Sequence, residues 1–462
     1  MDTDATRHPT LSRRAFLRSA SLAAFGSVTA ACNLVPGQEN ADALNWWPGW
    51  PGPYMQGVIQ KFQHSHPQVK VKPGLFYPTG EKLLTAVAAG NAPDMVADLP
   101  YYNFIGRGLT VPLDDMINAS NEISLTDGDI RAANWDAFAW NGKHHGIPAA
   151  DTAGRQAIGY NLDLVEKAGL DANALPETWE QIFEWHKRLT TFDKAGNLQI
   201  LGIDPIGDRA GATSDGDTWL WPEMWGFHYF NHEKLEYDID RPETVEFFET
   251  ILKFYDQVGV TKMTGLSTSL GGRPQGAFGQ GRQVMSIAYP AGPAEVFDAD
   301  PKQRFKFSWV PVPASRKGKR LQTVAGHASL LMTSSKHQKE AFQLAVFLTQ
   351  KEACDVFFDN VGWIGPRKSW QKGLNLSKYP KHVQENILFY TNSIDDANDL
   401  WVVDKDPEDS FLSDQWQQAI GKVTHHDITP REAARFLQTQ MTDDLTSEKR
   451  EFSGGTTRAG GT

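Results

Sequence analysis

Aromatic side chains are grouped in this sequence where flat rings could hold a ligand. The chain contains fifteen tryptophans in 462 residues, more than core packing alone requires. Residues 46–50, with the sequence WWPGW, follow a short apolar run. Because neighbouring side chains of a strand point to opposite faces, we expect Trp46 to pack in a core and Trp47 to face a ligand.

A second aromatic group, WLWPEMW, occupies residues 219–225. In a helix, Trp221 and Trp225 are four residues apart and share one face. Such a pair offers either a ligand platform or a core contact. We predict that at least one of the two indoles lines a ligand cleft, and core packing is the alternative.

A carboxylate at the end of a strand could accept hydrogen bonds from a ligand. Gly90 ends a helix-like run, Pro93 prevents its continuation, and Asp94 begins a strand-like run that ends at Asp98. Open α/β sheets bind ligands at the carboxyl ends of their strands. We therefore expect Asp98 to contact a ligand, with a helix N-cap as the alternative role.

Other residue groups carry no recognisable catalytic or metal chemistry. His144 with His145 and His425 with His426 are adjacent pairs, and chain neighbours do not face one metal ion, so we predict no zinc site. Residues 271–281 are rich in glycine but match neither the phosphate-loop nor the dinucleotide pattern. We expect no metal and no cofactor, and we interpret residues 271–281 as a flexible loop.

The N-terminus has the features of an export signal that ends in a lipid-attachment site. A twin arginine stands at residues 13–14, and the apolar run at 22–31 is far shorter than the ~20 residues of a membrane span. We predict that residues 1–31 are removed and that Cys32 carries acyl chains outside the cytoplasmic membrane. Lipoprotein signals usually have leucine where this chain has Thr29, so a basic N-terminus with a buried cysteine is the alternative.

Length and charge limit the classes of function. A chain of 462 residues exceeds the size at which one hydrophobic core keeps growing, so we expect two domains. The net charge is -11, and loss of the basic signal makes the mature chain more acidic still. This charge argues against nucleic acid and anionic lipid as partners. Apart from Cys32, Cys354 is the only cysteine, so stability must come from packing rather than from a disulfide.

Strand and helix patterns alternate along the first part of the chain. Strand-like runs at residues 43–47, 69–72 and 94–98 alternate with helix-like runs at 54–64 and 81–89. This alternation indicates βα units, a mostly parallel sheet and an α/β fold. Capping boxes predict two later helix starts, at Thr178 with Gln181 and at Thr429 with Glu432. Further apolar runs are candidates for buried strands: residues 156–160, 284–288, 305–310 and 329–332.

Several sequence blocks occur together and in order. They are residues 62–71 (FQHSHPQVKV), 82–98 (KLLTAVAAGNAPDMVAD), 108–114 (GLTVPLD), 141–148 (NGKHHGIP), 158–170 (IGYNLDLVEKAGL), 176–179 (PETW), 281–285 (GRQVM) and 362–367 (GWIGPR). Together these blocks resemble the extracellular carbohydrate-binding proteins of ABC importers, the family that includes maltose-binding protein. The resemblance spans nearly all of residues 43–445.

The resemblance implies an α/β protein with the two-lobed periplasmic-binding-protein fold, hinge crossovers and a ligand cleft between the lobes. The implied division is lobe one at 42–151 and 325–362, lobe two at 152–324 and 363–452, a lipid-anchored tether at 32–41 and a flexible tail at 453–462. The implied function is capture of a sugar, a di- or oligosaccharide, and its delivery to ABC permease subunits. The protein would be a monomer, would not be an enzyme and would bind no nucleic acid.

The resemblance also implies a set of ligand residues. A carbohydrate offers C–H faces that pack on aromatic rings and hydroxyl groups that bond to carboxylates, amides, arginine and backbone groups. The expected substrate-binding residues are Trp47, Asp98, Tyr101, Asp151, Trp221, Trp225, Tyr289, Gly326, His327, Trp363 and Arg367. Asp151 could instead serve a hinge turn, and His327 could simply be hydrogen-bonded in place.

Other functions stay open at this point. A lipid-anchored glycan-active enzyme would need two carboxylates about 5 to 9 Å apart, which Asp98, Asp151 and Glu223 could supply. A sugar sensor or adhesion lipoprotein would share the same lobes. A polyol or a glycerophosphodiester is another candidate solute, since a phosphate needs clustered arginines. Four arginines are available for such a cluster: Arg155, Arg209, Arg273 and Arg367.

Overall fold

A computed structural model shows the fold of the chain. It describes residues 43–49, 54–74, 80–97, 101–206, 220–269, 274–324 and 326–453. The strands are β1 Ala43–Trp47, β2 Lys70–Pro73, β3 Met95–Val96, β4 Ala139–Trp140, β5 Lys143–His144, β6 Gly146–Pro148, β7 Ala157–Asn161, β8 Thr191–Phe192, β9 Leu198–Ile200, β10 Phe230–Asn231, β11 Glu236–Tyr237, β12 Met285–Ala288, β13 Phe305–Ser308, β14 Leu321–Val324, β15 Ala328–Leu331 and β16 Asp399–Val402. The α-helices are α1 Tyr54–Ser65, α2 Gly80–Ala88, α3 Tyr101–Gly106, α4 Asp114–Asn118, α5 Ala132–Asp136, α6 Leu162–Lys167, α7 Trp179–Leu189, α8 Leu220–Trp225, α9 Pro242–Val258, α10 Val260–Ser269, α11 Pro274–Gly279, α12 Gly292–Ala299, α13 Gln338–Phe347, α14 Lys351–Val361, α15 Lys368–Lys372, α16 Lys381–Asp396, α17 Asp409–Thr424 and α18 Pro430–Ser453.

The first sheet has five strands in the order β2-β1-β3-β15-β6. β1 and β3 are parallel, with Trp47 opposite Val96, whereas β15 is antiparallel to both β3 and β6. The alternating pattern of the sequence predicts β1, α1, β2, α2 and β3 close to where they form, and these predictions are confirmed. One edge of this sheet therefore collects the ends of β1, β3 and β6 and the start of β15.

The second sheet has three strands in the order β12-β7-β13, and both pairings are antiparallel. The expectation of a mostly parallel sheet was drawn from the first part of the chain, where β1 and β3 are parallel but β15 is antiparallel to both of its neighbours. Every residue of β7 and of β12 is buried. A fully buried strand has the same uninterrupted apolar pattern in both kinds of sheet, so the pattern alone does not reveal the direction of pairing.

Both sheets have hydrophobic side chains packed on each of their faces. Trp46 and Met95 of the first sheet pack in one cluster, while Val96 and Leu330 pack in another. The second sheet is likewise covered on both faces, by one cluster that contains Tyr160 and another that contains Ala157, Phe305 and Phe307. This layering of helices on both faces of a sheet is typical of α/β folds.

The strand β14 links the hydrophobic cores that pack against the two sheets. Leu321, at its start, packs with the core of the second sheet, and Val324, at its end, packs with the core of the first. On one side β14 pairs in parallel with β16. On the other side Arg155 N–H donates a hydrogen bond to Thr323 O at 3.2 Å. The chain then passes through Gly326 into β15.

Both predicted capping boxes are confirmed. Thr178 Oγ1 accepts a hydrogen bond from Gln181 N–H, and Gln181 Oε1 accepts one from Thr178 N–H, at the start of α7. Thr429 and Glu432 exchange the same two kinds of bond, at 2.8 and 3.3 Å, at the start of α18. Each box satisfies backbone N–H groups that a helix start leaves without partners.

The described residues include neither a membrane-spanning helix nor a cluster of metal-binding side chains. None of the described helices is both long enough and apolar enough to span a bilayer. Among the same residues, no group of three or more histidine, cysteine, aspartate or glutamate side chains could hold a metal ion.

Candidate functional site

The candidate site lies at the edge of the first sheet where β1, β3 and β6 end and β15 begins. Trp47 is the last residue of β1 and pairs with Val96 of β3. Pro148 ends β6 opposite Ala328, the first residue of β15, and Ala149 N–H donates to His327 O at 2.9 Å. Residues that follow β6 and residues that precede β15 are therefore neighbours at this edge.

The two tryptophans of β1 separate as strand alternation predicts. Trp46 has no exposed surface and packs in the hydrophobic core. Trp47 is half-buried, and its indole covers Gly74 so closely that a Cβ added there would overlap the ring. Trp47 thus presents an aromatic ring at the sheet edge, the position that a ligand residue requires.

Tyr101 stands beside the start of β15. Its hydroxyl oxygen accepts a hydrogen bond from Ala328 N–H at 2.8 Å, and its ring packs edge-on against Phe138 with 5.3 Å between centroids. Trp47 and Tyr101 are both half-buried and pack against the same hydrophobic cluster. The sheet edge therefore brings two of the predicted aromatic residues together.

Asp151 lies in the segment between β6 and β7 and is held there by contacts from three directions. Its N–H donates to Ile364 O at 2.9 Å. Its carboxylate forms an ion pair with Arg155 and lies 3.9 Å from His327 Nε2. Asp151 also has a positive φ of 63°, a backbone conformation that non-glycine residues seldom adopt. Such strained residues persist only where the surrounding structure holds them, and they are common at functional sites.

Gly326 allows the backbone of Asp151 to come close. A Cβ at residue 326 would overlap the carbonyl oxygen of Asp151, and the φ of Gly326 is 116°, which favours glycine. No other residue type fits this position without movement of the segment between β6 and β7. Contact of Gly326 with a ligand stays a prediction, and the group that comes close to it in the structure is the Asp151 carbonyl.

An aromatic side chain continues the site beyond His327. The rings of His327 and Trp363 have centroids 5.0 Å apart, and Trp363 also packs on Phe357 at 5.9 Å. His327 is buried, whereas Trp363 is half-buried. The structure therefore joins Asp151, His327 and Trp363 into one continuous group of side chains.

The backbone that follows Tyr289 packs close to this group of side chains. Tyr289 follows β12, and its hydroxyl hydrogen-bonds to Glu295 at 2.5 Å. A Cβ at Gly362 would come within 3.3 Å of Ala291 Cα, so the turn after Tyr289 packs against the residue that precedes Trp363. Tyr289 is half-buried.

The expectation that Trp221 or Trp225 lines a cleft is corrected by the structure. Trp221 stacks on Trp416 with 4.6 Å between centroids and 6° between planes, and Trp225 packs edge-on against Phe247. Both indoles are buried in the hydrophobic core. Their spacing of four residues correctly predicts that the two indoles share one side of α8, but that side faces the core.

Arg367 as a ligand residue stays a prediction, and its guanidinium is bonded to the protein itself. Nε donates to Thr349 Oγ1 at 2.9 Å, and the two terminal nitrogens bond to Asp129 Oδ2 at 3.2 Å and to Glu122 O at 2.6 Å. These bonds hold the segment before α15 in place. They use three of the five N–H groups of the guanidinium.

One buried residue was missed as a member of the site. Arg155 appeared in the sequence only as a candidate for a phosphate-binding cluster, yet here it pairs with the Asp151 carboxylate, and only 3% of each side chain is exposed. The segment from 151 to 155 is not helical, so the i,i+4 pairing rule for helices could not have revealed the pair. Asp98, Cys32, Arg209 and Arg273 lie outside the described residues.

Comparisons with known proteins show the family of the chain. Residues 57–384 match the model of a family described as bacterial extracellular solute-binding protein. A putative binding protein of Brucella abortus (strain 2308) is 24% identical over 332 residues, which cover 70% of this chain and 74% of that protein.

Solved structures show the same fold. CpMnBP1 with mannotriose bound has a TM-score of 0.73 at 20% identity, over 86% of this chain and 99% of that one. The sugar-binding protein MalE from Xanthomonas citri has a TM-score of 0.69 at 16% identity, over 89% and 99%. The predicted fold class, a two-lobed α/β binding-protein fold, is confirmed by these likenesses. Because the family model matches well over half of the sequence, the chain belongs to the bacterial extracellular solute-binding proteins.

Proposed function

We propose that this protein captures a carbohydrate, a di- or oligosaccharide, at the sheet edge around Asp151 and delivers it to the permease subunits of an ABC importer. The observation that carries the proposal is the half-buried indole of Trp363 packed on His327, whose Nε2 lies 3.9 Å from the buried Asp151 carboxylate. This group lies at the sheet edge where β1 ends in Trp47. The structural neighbours support the choice of solute, since they include proteins solved with mannotriose and with maltose.

The side chains at this edge have the chemistry that sugars require. Covering about 50 Å² of a sugar face is worth roughly 1 kcal/mol at ~25 cal/mol per Å². A hydrogen bond to a charged group contributes roughly 1.5 to 3 kcal/mol. Two indole platforms and a few such bonds would give micromolar affinity after the cost of ordering the ligand.

Binding would favour the closed form of the two-lobed fold. A solute that contacts both lobes only when they are closed shifts the population toward that form, which the permease would then recognise. β14 and the segment around Asp151 connect the two cores and are the natural place for the hinge. We also propose that lobe one comprises residues 42–151 and 325–362 and that lobe two comprises residues 152–324 and 363–452. The protein would act as a monomer.

A glycan-active enzyme is the less supported alternative. Asp151 is paired with Arg155, so it lacks the freedom of a nucleophile. Glu223 is buried, and burial raises its pKa well above the ordinary value. Because Glu223 belongs to α8, which packs in the core with Trp221 and Trp225, we propose that the bound sugar is released intact.

Attachment to the membrane is part of the proposal. A twin-arginine signal at residues 1–31 and acylation of Cys32 would hold the protein at the extracytoplasmic face of the membrane through a short tether. Changing Cys32 to serine should release the protein from the membrane fraction without changing its affinity for sugar. Retention of the Cys32→Ser protein in that fraction would argue against lipid attachment.

The test is a binding screen with the full chain carrying Cys32→Ser, so that no lipid is attached. Intrinsic tryptophan fluorescence and thermal melting would be followed against mannotriose, maltotriose, smaller sugars, polyols and glycerophosphocholine. A saturable response to an oligosaccharide, with the sugar recovered intact, supports the proposal. Recovery of cleaved sugar would favour the enzyme, and a response to glycerophosphocholine alone would favour a different solute class.

A further inference from the structure

A groove with a volume of about 950 Å³ opens beside β16. Its walls are the hairpin of β10 and β11, the strand β16 with the residues that follow it, and Asp136 at the end of α5. None of the predicted sugar-binding residues lines this groove. It is therefore a separate feature from the sheet edge around Asp151.

The strand β16 has an edge that no described strand covers. In the described part of the chain, β16 pairs with β14 alone. Val403 N–H donates to Val324 O at 3.4 Å, and backbone groups of successive residues point to alternate sides of a strand. The N–H and C=O groups of Leu400 and Val402 therefore point away from β14, and both residues line the groove.

The exposed edge is also apolar. Leu400 is 44% exposed, and it is one of three large hydrophobic side chains that the described residues leave exposed. Trp401, next to it, is half-buried and packs against His228 with 4.5 Å between ring centroids. Proteins usually shield an apolar strand edge with charges, bulges or a covering segment, because a bare edge pairs with other chains.

The charges around the groove select the kind of partner. Six acidic residues and two lysines line it. Glu233 and Glu236, on the hairpin, are exposed and form no salt bridge with any other described residue. Acidic walls repel anionic ligands and attract a segment that carries lysine or arginine.

We propose that the edge of β16 that no described strand covers is a docking site for an extended basic segment of a partner protein. The segment would add a strand beside β16, bonding to the N–H and C=O groups of Leu400 and Val402, and its basic side chains would pair with Glu233 and Glu236. Strand addition of this kind takes affinity from main-chain hydrogen bonds and specificity from side chains. The proposal does not depend on which solute the protein binds.

The test uses the full chain carrying Cys32→Ser and two capped hexapeptides, one of alternating lysine and valine and one of alternating glutamate and valine. Peptide affinity would be measured by fluorescence anisotropy, and the position of the peptide by amide hydrogen exchange with mass spectrometry. We expect saturable binding of the lysine peptide only, with slowed exchange across residues 399–403. The sugar response should stay unchanged.

Two variants make the test specific. Leu400→Pro removes a groove-facing N–H but no bond to β14, and edge strands tolerate proline. A Glu233→Lys and Glu236→Lys double variant reverses the exposed charges. Each should weaken the lysine peptide at least about tenfold, the size expected from losing one or two such bonds. Glu249→Lys, an exposed charge reversal outside the groove, is the matched control and should leave peptide affinity unchanged.

Three outcomes would overturn the proposal. The lysine peptide shows no saturable binding, or both variants bind it as well as the parent protein does. Alternatively, an oligosaccharide without any peptide slows exchange across residues 399–403, which would assign the groove to sugar.

Discussion

The carboxylate of Asp151 and the guanidinium of Arg155 form an ion pair from which water is almost completely excluded. Only 3% of each side chain is exposed. Asp151 also carries the positive φ of 63° in the segment between β6 and β7. The pair therefore fixes both the charge and the backbone at the centre of the proposed sugar site.

Removing Arg155 should destabilise the protein strongly. In an Arg155→Met variant, the Asp151 carboxylate stays buried without its guanidinium partner, and breaking a buried pair in this way costs about 3 to 5 kcal/mol. Urea unfolding would measure the loss. Arg304→Met, which removes an arginine half-exposed on the surface and paired with Asp163 and Glu166, is the control and should leave the midpoint nearly unchanged. Equal effects of the two variants would contradict the importance of the buried pair.

Replacing Gly326 by alanine should also be costly. The added Cβ would overlap the carbonyl oxygen of Asp151, and the φ of 116° is unfavourable for alanine. We expect a loss of roughly 2 to 4 kcal/mol, combining backbone strain with overpacking. Gly57→Ala is the matched control, because a Cβ there meets no atom within 4 Å and the residue lies inside α1. Alanine in that helix should stabilise by up to about 1 kcal/mol. Thermal unfolding of both variants gives the comparison.

Loss of the indole of Trp363 should weaken sugar binding without unfolding the protein. A Trp363→Ala variant loses an aromatic platform worth roughly 1 to 2 kcal/mol of binding, which is about a five- to thirtyfold rise in Kd. Trp47→Ala should act in the same direction. Trp309→Ala is the control, since Trp309 is also half-buried but packs on Phe389 away from the sheet edge. Isothermal titration with the sugar selected by the screen measures all three, and a Trp309→Ala effect as large as the others would count against the site.

A buried acid should make stability fall as the pH rises. Asp406 has no exposed surface, and burial raises its pKa to about 7, although Tyr237 Oη–H and Glu408 N–H both donate to its Oδ1. Because this folded-state pKa lies above the unfolded value of 3.8, the native state binds the proton more tightly. The contribution is fully present below about pH 4 and is lost as the pH rises toward 7.

The Asp406→Asn variant removes this dependence while keeping the shape of the side chain. From pH 5 to pH 8, the parent protein should lose on the order of 2 kcal/mol more unfolding free energy than the variant. Urea unfolding at the two pH values gives both numbers. Parallel pH profiles for the two proteins would show that Asp406 titrates normally.

Local features of the structure could be predicted where interactions between residues close in the sequence determine them. Alternation along β1 separates Trp46 from Trp47, and the spacing of Thr178 and Gln181 sets the start of α7. The ordered sequence blocks gave the fold class and the family, both of which the comparisons confirm.

The features that the sequence did not reveal are contacts between distant segments. A spacing of four places Trp221 and Trp225 on one side of α8, but only the position of α17, which brings in Trp416, decides that this side is buried. Arg367 sits in one of the family blocks, yet its partner Asp129 comes from 238 residues away. The antiparallel direction of the second sheet depends in the same way on how distant strands pair.

The most direct test of the account is a crystal structure of the protein with the oligosaccharide that binds most tightly in the screen. We predict a sugar ring packed on Trp47 or Trp363, with a hydroxyl group within about 3 Å of the Asp151 carboxylate. A sugar bound elsewhere, for example beside Trp401, with Trp47, Trp363 and Asp151 left uncontacted, would contradict it.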